Sequence, residues 1–439
     1  MLVNAGKMQA ASHLQSAPAL HQQPPDTGAC TLIPYIKLAL SSPETNPVPR
    51  KEDEGTMSQI QDVAIVGGGA AGCAVSYYLA KAGVKSTIIE RDGIAANASG
   101  YSAGGLNPLE GAGIPGPLGP LAIESYRMHA ELAPELTELS GVDFGYKVIS
   151  SVRIAFDESE LSEMQTTHDT FQSADADFSA EWLDASQLRE MEPRLSGDAI
   201  RALDTYGNAV LSSHRYTLAL AKSAETMGAK VISGTVSSVR TNGGRVTAVL
   251  TDSGEISCDA VVFATGPWSG EVEEWLGVQV PIEPFKGEIL RMKLDGPPLD
   301  RDFHSADVDL NHREDGQIWV GATEERVGFD RNPSAKARAE SLRTATNLMP
   351  AMKDAELVLH TACLRPLSPD WMPIVGSAPG WDNAYLATGA GKKGILISPG
   401  MGKAVADLIT TGETDMPVAG FGPERFAEDK SNIPSPSTG

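Results

Sequence analysis

Apolar positions between residues 60 and 90 fall into two patterns set end to end. Residues 63–66 are an unbroken apolar run, Val75, Leu79 and Ala82 then recur at helical spacing, and residues 86–89 form a second short run. This order predicts strand, helix, strand. Helical periodicity returns over 121–139, with Leu121, Ser125, Met128, Leu132 and Leu136 on one side, and again over 213–227, closed by Gly228. Residues 146–156 alternate as a strand, and 182–191 read as a short helix ending near Pro193. The runs 230–239, 245–250, 255–258 and 260–264 read as successive strands separated by GG and DSG turns. A second strand-rich block, 284–292 and 317–321, precedes a helix over 335–349, a strand over 384–387 and a final helix over 401–410.

The junction between the first run and the first helix carries chemistry. Gly67, Gly69 and Gly72 stand there in GxGxxG spacing. The first permits a tight turn, the second lets backbone approach a phosphate, and the third allows the helix to lie close on the strand. The helix N-terminus then offers free N–H groups and a positive dipole end. Glu90 closes the second run, where a carboxylate accepts hydrogen bonds from a ribose diol. Together these predict an adenine dinucleotide site, and the motif alone does not separate FAD from NAD. The glycine- and serine-rich stretch 97–119 is a long loop of the kind that wraps a cofactor.

Composition narrows the class. The chain has 439 residues, 41% of them hydrophobic, enough for two domains or one interleaved α/β unit. No apolar run reaches the roughly eighteen residues of a spanning helix, so a soluble protein without a membrane span is expected. The formal charge of −22 lies almost wholly beyond residue 56 and disfavours nucleic acid as a partner. Cys30, Cys73, Cys258 and Cys363 are far apart and lack ligand spacing, which predicts no metal site, no disulfide framework and a cytoplasmic compartment. Residues 1–56, rich in Pro, Ser and Gln, read as a disordered extension with Met57 as the expected start.

With the glycine fingerprint, the SAGG loop at 102–105, the strand end VVFATGPWSG and the carboxy-terminal RPLSPDWMPIVG and TGAGKKGILISPGMGKAVADLI in view, the chain resembles the D-amino-acid oxidase family of flavoproteins, within it the glycine oxidase and sarcosine oxidase group. The resemblance covers roughly residues 60–412. It implies FAD, and an α/β fold in which a Rossmann-like FAD-binding domain (57–142, 203–280 and 360–415) is interleaved with an α+β substrate domain (143–202 and 281–359) on a mostly antiparallel sheet. Residues 416–439 are then a flexible tail. It places Ala70 and Ala71 on the pyrophosphate, Glu90 and Arg91 on the ribose, Ala98 and Ser99 near the phosphates, and Ala103, Gly104 and Gly105 against the flavin. Val236 is set at the adenine, with Thr265 and Gly266 closing over the dinucleotide. The loop Gly391, Lys392, Lys393, Gly394, Ile395 and Leu396 falls at the flavin pyrimidine edge, where a cation and a helix N-terminus stabilise the reduced ring. Arg365 is implied to hold a substrate carboxylate.

The implied reaction oxidises the C–N bond of a small amino acid by hydride transfer to flavin N5, with hydrolysis of the resulting imine and electrons passed to oxygen or another acceptor. Lys392 joins Arg365 as a catalytic candidate, and a homo-oligomer is left open. The chain departs from the group's pattern at Ala390, Gly391 and Lys392, where a His, an aromatic residue and an Arg are usual, and at Asp309, near a usual tyrosine. A larger or differently shaped substrate follows. His304 and His312 are candidate acid–base groups, and Trp268 and Trp371 are expected to fill core or interface space. Two alternatives stand beside this reading: an FAD-dependent 2-hydroxy-acid dehydrogenase and a non-catalytic flavoprotein assembly factor.

Overall fold

Successive residues of the strand Asp62–Val66 face two different layers. A computed structural model describes Ile60 and residues 62–427, and the expectations for 1–56, Met57 and 428–439 lie outside the described residues. Six strands form the first sheet, in the order Ile374–Ser377, Ala384–Thr388, Ala260–Phe263, Asp62–Val66, Lys85–Glu90, Lys230–Ser233. Neighbours are parallel except the outermost pair, Ile374–Ser377 with Ala384–Thr388. Val63 and Ile65 face a layer of helices, Ala70–Lys81, Gly119–Ser140, Ser213–Thr226 and Gly394–Thr410. Ala64 and Val66 face the three-stranded meander Val236–Asn242, Arg245–Thr251 and Gly254–Ser257, through Val236, Val246 and Val249. Burial on both faces explains why the sequence shows a continuous apolar run rather than alternation.

The last helix starts seven residues before its sequence-based boundary, at Gly394 rather than 401, although Pro399 lies inside it. A proline removes one N–H and leaves the carbonyl four residues earlier without its helical donor. That carbonyl, Ile395 O, receives the Nε2–H of buried His129 at 3.0 Å and the Ser398 hydroxyl at 2.9 Å. Burial pushes His129 down to about 4, against the two backbone hydrogen bonds, so the ring is neutral. The helix 182–191 is also corrected: Ser179–Asp184 is a strand, and the helix spans Ala185–Met191. Asp184 ends one and caps the other, accepting from Ser186 N at 2.7 Å and Gln187 N at 2.9 Å.

The second sheet runs Glu356–Leu367, Glu283–Lys293, Ile318–Gly321, Asp309–His312, Asp302–His304, Lys147–Ala155, Arg201–Val210, Gly105–Leu106, with Ser179–Asp184 also paired to Arg201–Val210. It is mixed: Asp302–His304 lies parallel to Lys147–Ala155 and the other pairs are antiparallel. Its own core includes Val152, Ile154, Leu290, Phe303 and Leu310. Two of its strands, Arg201–Val210 and Glu356–Leu367, run across the sequence-based boundaries at 203 and 360. Residues 416–427, expected to belong to a flexible tail, bury Met416, Val418 and Phe421, and Phe421 O accepts from Val375 N at 2.9 Å. Among the described residues no helix is long and apolar enough to cross a membrane.

Helices Ala70–Lys81 and Gly394–Thr410 meet at Gly402, where an added Cβ would lie 2.5 Å from Ala74 Cβ and 2.6 Å from Ala74 C. Part of that obstruction is backbone and cannot rotate away. Gly402→Ala is expected to lower unfolding free energy by about 1–3 kcal/mol, read from urea denaturation; an unchanged midpoint would refute the contact.

Candidate active site

The turn after Asp62–Val66 is shaped by what cannot fit there. Gly67 has φ +110°, and a Cβ on it would strike Ala264 O; a Cβ on Gly72 would strike Gly67 O. The helix Ala70–Lys81 therefore lies hard against the turn with its N-terminus open to a cavity of about 780 Å³. Ala70 N donates to Ser99 Oγ at 2.9 Å, which draws the loop 97–119 over that N-terminus. Glu90 accepts from Gly68 N at 2.7 Å and from Asp92 N at 2.8 Å. These bonds fix its carboxylate at the end of Lys85–Glu90 with lone pairs to spare for a diol.

The cavity passes from this turn along Glu90, Arg91, Ala98, Ser99, Ala103, Gly104 and Gly105, reaching Val236, Thr265 and Gly266 on one side. Gly69, Ala70 and Ala71 line it, as do Gly391, Lys392, Lys393, Gly394 and Ile395 at the start of the last helix, and Arg365. Gly72 and Leu396 stand behind it. Gly72 packs under the turn, and Leu396 is buried with its carbonyl toward His129 at 3.1 Å.

Both lysines border the cavity, yet each already has protein partners. Lys392 pairs with Glu324 and lies over the Trp371 ring. Lys393 donates to Asn107 O at 3.1 Å and Glu110 O at 2.6 Å, and burial pushes it down to about 8, with Glu110 opposing and Lys392 assisting. The positive end free to face a ligand here is the helix N-terminus at Gly394 and Ile395. Trp268 borders the cavity with Arg91 4.1 Å above its ring, so it is more than interior filling.

Arg365 leaves the strand Glu356–Leu367 and crosses Gly287, where any Cβ would occupy the guanidinium's place. Its Nη1 donates to Thr323 O at 3.2 Å and Lys286 O at 3.4 Å. Arg153 and Arg91, the other cavity-lining arginines among the described residues, each have a carboxylate partner, in Glu163 and Asp92. Arg365 has none. Gly287 was not legible in the sequence because its role exists only through pairing with a distant strand.

His304 and Asp309 lie together in the cavity wall, joined Nδ1 to Oδ1 at 2.9 Å; His312 is not part of that wall. Burial alone would lower His304, but the hydrogen bond and charge of Asp309, with Asp302 and Glu110 behind it, push it up to about 9. The polar residues Ser151, Thr167, Thr170 and Thr205 also line the cavity. Sequence reasoning missed them, although Thr167 and Thr170 share a helical face.

Residues 62–408 match the family model described as DAO, FAD dependent oxidoreductase. The chain belongs to that family. It is 32% identical over 369 residues to a glycine oxidase of Geobacillus kaustophilus, covering 83% of this chain and 97% of that protein. The crystal structure of glycine oxidase from that organism superposes with a TM-score of 0.77 at 30% identity, over 83% of this chain and 98% of the other. An iminodiacetate oxidase from Chelativorans sp. BNC1 superposes at 0.76 with 25% identity, over 82% and 98%. The DAO-family chain is thus an FAD-dependent oxidoreductase. Its glycine turn, open helix N-termini and anchored Glu90 fit the dinucleotide.

Two outcomes test this geometry. Gly67→Ala is expected to yield protein with several-fold less bound FAD per chain, read from flavin absorbance, because the new methyl meets Ala264 O; full occupancy would contradict the turn. His304 has a folded value above its ordinary 6.5, so its stabilisation is full below pH ~6.5 and is lost as pH rises through about 9. Relative to His304→Gln, the parent protein should lose up to roughly 3 kcal/mol across that window. Lys393 titrates in the opposite sense in both proteins and cancels, so a pH-independent difference would sink the pairing.

Proposed function

We propose that this DAO-family chain oxidises the C–N bond of a small amino acid whose carboxylate is held by Arg365. One observation carries the reading: Arg365 is the cavity-lining arginine, among the described residues, without a carboxylate partner. A guanidinium fork in a recess, with Nη1 held by two carbonyls and Nη2 left over, matches a carboxylate edge on. Bound FAD supplies a two-electron acceptor. The chain's own part is to seat the acid, to aim the Cα–H, and to exclude water behind buried Cys363 and Ile289. The named activities of the relatives, glycine oxidase and iminodiacetate oxidase, support an amine donor and make dioxygen the first acceptor to test.

A 2-hydroxy acid would need a base for its hydroxyl proton. His304 is poorly suited to that work, since Asp309 keeps it protonated near neutral pH. An amine loses its own proton to solvent and needs no such group.

Arg365→Lys should raise KM for glycine or sarcosine by about 10–100-fold, since a point charge replaces a bidentate fork, while the protein stays yellow. Gly287→Ala, which displaces the guanidinium without deleting it, should do the same more weakly. Steady-state turnover with an artificial electron acceptor over a range of amine concentrations measures both. An unchanged KM in the two variants would remove Arg365 from substrate binding.

A further inference from the structure

The cavity that Arg365 lines also has a lobe walled by the second sheet and the helix Leu161–Ser173. The helix turns Glu163, Thr167 and Thr170 toward it, residues spaced four and three apart and so on one face. Thr205 comes from the strand Arg201–Val210, and Asp309 and Asn311 from Asp309–His312.

The placement of protons gives the lobe its character. Thr170 donates to Thr166 O at 2.8 Å, Thr167 to Glu163 O at 3.4 Å and Thr205 to Ser151 O at 3.0 Å. A hydroxyl has one proton and two lone pairs, so each retains acceptor capacity. Asn311 donates one amide proton to Trp319 O at 3.1 Å, leaving Oδ1 as an acceptor and the second N–H as a donor. Asp309 accepts only, and the one cation beside it, His304, is already bonded to it. Arg153 is held by Glu163 at 3.0 Å. The wall is therefore rich in acceptors, with the buried His304 Nε2–H as a donor that has no partner among the described residues.

We propose that this lobe selects an amino acid carrying a hydroxylated extension on its nitrogen or side chain, with Asp309, Thr167 and Thr170 as the specificity-determining residues. The proposal rests on the Arg365 reading for the carboxylate. Hydroxyl protons would meet the acceptors; an alkyl chain of the same length would leave them unpaired, and a site built this way discriminates strongly against the analogue lacking the groups. A second carboxylate would face Asp309 and the other acceptors, with the His304 Nε2–H as its donor, whereas hydroxyls can both give and accept.

The test uses the FAD-loaded full chain and calorimetric titration with N-(2,3-dihydroxypropyl)glycine, N-propylglycine and iminodiacetate, followed by anaerobic flavin bleaching with each. The dihydroxypropyl acid should bind at least tenfold more tightly than the propyl acid, and more tightly than iminodiacetate. Thr167→Val/Thr170→Val, at partly exposed helix positions, should erase most of that ratio, and Asp309→Asn should reduce it. Equal or tighter binding of the propyl acid, tightest binding of iminodiacetate, or a ratio unchanged in the double variant would overturn the proposal. Because heat reports binding without turnover, discrimination with no bleaching by any amine would support the lobe while defeating the oxidation reading. Absence of binding by every acid would defeat both.

Discussion

Two helix N-termini reach one cavity because two helices can touch almost backbone to backbone. Ala70–Lys81 and Gly394–Thr410 meet where Gly402 faces Ala74, leaving no space for a single additional carbon. Larger residues would push the axes apart, and the open N–H groups would no longer point into a shared space. The same close approach recurs at Gly72 under the Gly67 turn. Two open helix N-termini in one cavity suit a cofactor that carries a negative pyrophosphate and a ring that gathers charge on reduction.

Side-chain charge in the cavity is mostly neutralised within the protein. Lys392 has Glu324, Arg153 has Glu163, His304 has Asp309, and Lys393 is tied to two carbonyls. Matching of this kind limits the desolvation cost of placing ions in a recess. It leaves Arg365 as the cavity-lining arginine without a carboxylate partner among the described residues, and the bare backbone of Gly287 gives its guanidinium room.

The long helix that delivers Gly394 and Ile395 survives an internal proline through tertiary contact. His129, from Gly119–Ser140, donates to the carbonyl that Pro399 leaves unpaired, and its neutral state follows from complete burial. Local propensity would end the helix there. The fold repairs it with a donor more than two hundred residues away in the chain.

Residues that act through their immediate chain neighbours are legible in the amino-acid sequence. The apolar run 63–66, the GxGxxG spacing and Glu90 suffice to predict a dinucleotide-binding turn, because strand, turn and helix are adjacent in sequence and their chemistry is backbone geometry. Strand Arg201–Val210 was hidden by its polar Asp204, Thr205 and Asn208, whose partners Arg301, Ser151 O and Glu110 come from distant parts of the chain. The open side of Arg365, the pairing of Lys392 and the joining of His304 to Asp309 depend on strands and loops brought together from distant parts of the chain. Sequence alone determined the glycine turn between strand and helix, since short-range sterics suffice for it; only tertiary structure decided which charges are matched, because matching is set by distances that chain order does not specify.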